Sequence, residues 1–172
     1  MKKERQASDW IAGILARDLR ALRREIESFG DEGDVWRVPP GISNSAGTLA
    51  LHLAGNIQYY IGTVLGGTGY LRDRDAEFAL RDVERTELLQ QIDAALLAVE
   101  RGMAQVSDSD LARPYPDPPK GLQVTTRDYL IHLISHFTYH LGQLDYHRRL
   151  LTGQPGQIRA VAPGDVLTGE GA

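Results

Sequence analysis

The sequence predicts an all-α protein, an antiparallel up-down-up-down four-helix bundle, on three observations. Four long segments repeat apolar residues at helical spacing. Glycine- and proline-rich stretches punctuate them. No run of alternating apolar and polar residues marks a strand, and no internal repeat is visible. Helices of this kind joined by intermediate loops close their apolar stripes against one another as a bundle.

The first helix covers residues around 8–29, with Ile11, Leu15, Leu22, Ile26 and Phe29 on one stripe, and "FGDEGD" breaks it. A proline-marked loop, "VWRVPPGISNS", leads to Ser45, a residue type suited to an N-cap. The second helix runs from there through about Leu65 on the stripe Leu49, Leu53, Ile57, Tyr60 and Val64, and "GGTG" ends it. The stretch "YLRDRDAEFALRDVER" mixes charges with aromatics and has no clear period. The third helix, from roughly 83 to 105, carries Leu88, Ile92, Leu96, Val99 and Met103. "ARPYPDPPKG" is a loop. Thr125 and Asp128 have capping-box spacing, opening a fourth helix that runs to about Leu151, where "TGQPG" stops it. The bundle thus occupies residues 1–152, and residues 153–172 form a Gly/Pro-rich C-terminal tail without period.

With 172 residues, the length suits one core. The formal net charge of −4 argues against a nucleic-acid binder, which needs a basic stripe. No apolar run approaches the roughly 20 residues of a membrane span, and no signal-peptide h-region follows the basic N-terminus, so a cytoplasmic location is expected. The chain has no cysteine. Disulfides, thiolate metal sites and a protein-borne thiol nucleophile are therefore excluded, and any metal must be held by His, Asp or Glu.

Four of the five histidines lie in "HLISHFTYHLGQLDYH", residues 132–147. Successive helical residues turn by about 100°, so relative to the stripe Leu130, Leu133, Phe137, Leu141 and Leu144, His140 lies about 80° off, His136 about 120° and His132 about 160°. His136 and His140 therefore flank the core, where a cleft between helices would lie, together with Tyr129 and Gln143. His132 faces outward in a column with Tyr139 and Tyr146, and His147 sits near the helix end, where a partly positive imidazole suits the dipole. On the second helix His52 lies about 100° off its stripe, on the same rotational side, and in a bundle its depth differs from that of His136 by only ~4–5 Å.

Two imidazoles one turn apart plus a third from another helix can hold one ion. Nitrogen-rich sites suit Zn, Ni, Cu or Fe rather than Mg or Ca, and three protein ligands leave a coordination position open, as in catalytic zinc sites. Spacing alone is equally compatible with histidines packed or solvated on a helix flank. A ferritin-like di-iron site is excluded, because no histidine has Glu three residues before it, and residue 137 is Phe where a HExxH hydrolase needs Glu.

The segments "LALHLAGNIQYY" and "HFTYHLGQLDYH" resemble the histidine motifs of the DinB-like (damage-inducible) metal-binding superfamily, over about residues 8–152. That family has L-x-x-H early in helix two and H-x-x-x-H-x-G-Q on the last helix. The stretch "VLGGTGYLRDRDAEF" is also similar to one branch of it. The resemblance implies a metal triad of His52, His136 and His140, since Gly142 and Gln143 follow in the expected place; Leu141 departs from the Arg of many members. It implies a divalent transition metal, zinc foremost and nickel or iron as alternatives. Activities in the superfamily are transfers involving small thiols such as bacillithiol or mycothiol, so a metal-dependent thiol transferase or hydrolase acting on a small-molecule thiol and an electrophile is expected. Homodimers are frequent among its members. The alternative is a non-catalytic dimeric metal-binding stress-response module. The loops 30–45 and 106–125, with Trp36 and Tyr115, are expected to wall a substrate site.

Overall fold

The computed structural model describes residues 5–154 and 162–167, and it is all-helical. Helix α1 spans Ala7–Glu27, α2 Glu32–Trp36, α3 Ala46–Ile57, α4 Arg74–Ala79, α5 Arg85–Met103, α6 Thr126–Thr152 and α7 Gly164–Leu167. No strand forms among the described residues; a lone bridge joins Pro114 to Thr125 within the loop before α6.

The helix boundaries follow local chemistry. The Ser45 side chain accepts from Thr48 N–H, and Thr125 from Asp128 N–H while the Asp128 carboxylate reaches back, so orphan donors at both starts are satisfied. Gly153, left-handed at φ 66°, ends α6. Helix α3 does not stop at Ile57. It continues as a π-helical segment, Gln58–Thr63, in which Val64 N–H bonds the carbonyl of Tyr59, five residues back. Nothing in the apolar period marks that widening. The charged stretch after it is ordered too: Asp73 caps α4 by accepting from Ala76 N–H.

The four long elements meet pairwise. Helices α1 and α3 each pack against both α5 and α6, and the π-helical segment lies on α5. The apolar stripes all face inward: Leu15, Leu22 and Ile26 from α1, Leu53 and Ile57 from α3, Ile92 from α5, and Leu133, Phe137 and Leu144 from α6 are buried in one core. Each such side chain contributes about 1.5–3 kcal/mol relative to exposure. Helix α7 packs on α1, with Val166 buried and its carbonyl accepting from Arg5 at 2.6 Å; residues 155–161 and 168–172 of the tail lie outside the described residues. No helix among the described residues is long and apolar enough to cross a membrane.

Candidate metal centre

Helix α3 presents His52 and helix α6 presents His136 and His140, and their ligating nitrogens all lie within 4.8 Å of one another. His52 Nε2 and His136 Nε2 are 3.3 Å apart. A tetrahedral ion with metal–nitrogen bonds of ~2.0–2.1 Å sets its ligand nitrogens about 3.4 Å apart, so this edge of the triangle already has coordination dimensions. The rings meet nearly edge to face, with centroids 5.1 Å apart for His52–His136 and 4.6 Å for His136–His140.

Hydrogen bonds behind the rings orient two of them. Glu77 Oε2 lies 3.0 Å from His52 Nδ1, and Gln143 Oε1 lies 2.7 Å from His140 Nδ1. Both oxygens are acceptors, so both Nδ1 atoms carry the proton and both Nε2 atoms keep their lone pair. Electrostatics favour the neutral form of the two histidines on α6. Burial, then the neighbouring His140, His52, His132 and Arg72, press the His136 pKa down to about 4. Burial also lowers His140, against the pull of Gln143. Neutral imidazoles are the ligating form.

The remaining histidines separate as the helix phase expects. His132 is exposed, its ring 5.9 Å from that of His136 and outside the cluster. Tyr139 and Tyr146 are exposed on the same outer column. His147 differs from expectation. Its ring is buried, and burial lowers its pKa against a hydrogen bond to the Arg37 backbone. Desolvation of a charged ring overrides the helix-end dipole, so His147 is neutral core rather than a terminal cation. The two aromatics expected to wall a substrate site are buried as well. Trp36 slots against α3 where Gly47 lacks a Cβ that would fall 2.7 Å from the indole, and Tyr115 donates to the Tyr60 carbonyl at 2.5 Å. They are packing residues.

Sequence patterning missed α4 and what it brings. Glu77 is buried behind His52, and Arg72 grips it through Nε to Oε1 at 2.7 Å and Nη2 to Oε2 at 2.8 Å. These hydrogen bonds, with that from His52, outweigh the opposing effect of burial and hold Glu77 below the usual carboxylate range. Arg72 also lies 5.5 Å over the ring of Tyr60, which packs edge to face on Tyr129 at 5.1 Å. Beyond them Tyr59 donates to Asp117 at 2.6 Å. The signal available in the sequence was an acidic residue in an aperiodic stretch, Gly69 to Phe78, that has no apolar face of its own.

Three imidazoles with converging lone pairs can hold one transition-metal ion and leave further coordination positions for a small molecule. None of the curated proteins compared with the chain matches it. A family model described as mycothiol-S-transferase matches residues 11–153, which spans α1 through the end of α6 and includes all three histidines. The chain belongs to the mycothiol-S-transferase family.

Proposed function

We propose that this chain is a metal-dependent transferase that joins a low-molecular-weight thiol to an electrophile, with His52, His136 and His140 as the metal ligands. The observation that carries the proposal is the convergence of three imidazoles, two of them fixed from behind by Glu77 and Gln143. The chain has no cysteine, so the sulfur nucleophile comes from a cosubstrate, as the family match suggests. Metal held by three neutral imidazoles keeps its full charge and would make a coordinating thiol available as thiolate, the nucleophilic form. Zinc suits the donor set best, with nickel or iron as alternatives. The chain's own part is to bring the three rings together and to turn the Nε2 atoms of His52 and His140 inward.

The proposal includes an up-down-up-down bundle over residues 1–152 followed by the tail 153–172, a cytoplasmic location and a homodimer. The outward column of Tyr139 and Tyr146 motivates the dimer; sedimentation at tens of micromolar showing only monomer would remove it. A second reading, a non-catalytic metal-binding module, is favoured by one observation. The carboxylate that touches a triad ring, Glu77, has both oxygens engaged and offers no free base.

Cobalt-substituted protein tests the function. Adding a small thiol should change the cobalt absorption spectrum and release a proton, because the thiol coordinates as thiolate. A spectrum showing a fourth protein ligand, with no response to thiols, supports the second reading and overturns the first.

A further inference from the structure

We propose that Glu77, gripped by Arg72 and admitted by the notch at Gly55, is the positioning residue that fixes His52 with its proton on Nδ1 and its Nε2 lone pair toward His136 and His140. The proposal rests on reading the three histidines as a metal site. Its geometry has four parts. A carboxylate only accepts, so His52 Nδ1, 3.0 Å from Glu77 Oε2, must be a donor. Arg72 Nη2 is 3.4 Å from the same Nδ1, but a guanidinium cannot accept; the two are neighbouring donors that share Glu77 Oε2. Arg72 Nε occupies Oε1. Both oxygens are thus saturated on the Nδ1 side of the ring, which withholds Glu77 from coordination and leaves the three imidazoles as the ligand set.

The fourth part is Gly55, one helical turn beyond His52 on α3. A Cβ there would overlap Glu77 Oε1 and approach Tyr70 Oη to 3.3 Å. The absence of a side chain at this position is what lets a buried carboxylate reach the back of the imidazole. Glu77 also docks α4 on α3, but docking alone makes no demand on which ring nitrogen holds the proton. Gln143 plays the same part toward His140 from an exposed position three residues along its own helix, a weaker constraint.

Zinc affinity of the full-length, tag-free chain is the primary test, measured by competition with a chromophoric chelator. Glu77→Gln places an amide NH2 against the Arg72 donors. Gly55→Ala pushes the carboxylate aside with its charge intact. Each should weaken zinc binding by about 10–100-fold with helix content retained, the scale known for loss of a hydrogen-bond partner behind a ligating histidine. His132→Ala should bind as wild type. Nitrogen-15 NMR of the wild-type imidazoles supplies a second readout that needs no variant: His52 should carry its proton on Nδ1. Folded Glu77→Gln and Gly55→Ala chains that both bind zinc within about twofold of wild type would overturn the proposal, as would His52 protonated on Nε2 alone. A wild-type chain that binds no zinc removes the metal reading instead, and the NMR result then decides the positioning.

Discussion

Glu77 and Glu25 are both buried carboxylates paired with an arginine, and they end in opposite states. Glu77 receives three donors, two from Arg72 and one from His52, and is held as an anion below its usual range. Glu25, between α1 and the far end of α6, receives Arg148 Nε on Oε2 at 2.6 Å and has a second carboxylate, Asp145, as its other neighbour. Burial, with the hydrogen bonding and charge of Asp145 added and Arg148 opposing, pushes Glu25 up to about 7. Both sites are buried, so the number of donors and the neighbouring Asp145 carboxylate decide between a fixed negative charge and a proton carrier near neutrality. The same contrast separates the histidines of α6. His140 is oriented by a side chain, Gln143, whereas the buried His147 meets only the Arg37 backbone. One end of the molecule is organised to present lone pairs; the other is a structural core.

The largest effect on stability should come from breaking the Glu25 pair. Arg148→Ala leaves a buried carboxylate without its cation and should destabilise the fold by about 3–5 kcal/mol in denaturant melts. Arg72→Ala should destabilise less, by about 1.5–3 kcal/mol, because His52 still donates to Glu77. Equal losses would erase the contrast between the two sites.

The next effect is on pH dependence. The folded pKa of Glu25, about 7, lies above the ordinary 4.5, so the folded chain binds this proton more tightly than the unfolded chain. Its stabilising contribution is therefore full below about pH 4.5 and declines as pH rises to about 7. Glu25→Gln should remove that decline, so the stability of wild type relative to the variant should fall across this window. Parallel stability–pH curves would show that Glu25 is ionised throughout.

Smaller effects test the two ends of α6. His147→Leu removes the ring's hydrogen bond to the Arg37 backbone and should lower stability by about 1 kcal/mol while leaving zinc affinity unchanged. Unchanged stability would mean that the ring makes no such bond. His132→Ala, on the outer face, should change stability by no more than about 0.5 kcal/mol.

Much of this organisation was legible in the sequence, and the illegible part has a physical pattern. The helices with an apolar stripe, the caps at Ser45 and Thr125 and the outward placement of His132 follow from local spacing, and so does the rotational agreement of His52 with His136 and His140. What was missed depends on contacts between distant segments. Glu77 is 25 residues from His52 and sits on a helix too short to have a period. Glu25 and Arg148 are 123 residues apart, and each reads alone as a solvated charge. Trp36 and Tyr115 stand in proline-marked stretches that read as walls of a substrate site, but the notch at Gly47 and the carbonyl of Tyr60 draw them into the core. The π-helical turn at Gln58–Thr63 is a packing outcome with no compositional mark.

The central claim, that His52, His136 and His140 form one metal site, is tested most directly by the metal content of the full-length chain made without a polyhistidine tag. After equilibration with zinc and removal of loosely held ions, wild type should retain one ion per chain. His132→Ala should retain it too. His52→Ala, His136→Ala and His140→Ala should each lose it, a larger effect than the roughly 10–100-fold expected for a residue behind a ligand. A wild-type chain that retains no ion, or a His136→Ala chain that holds it as tightly as wild type, would contradict the assignment.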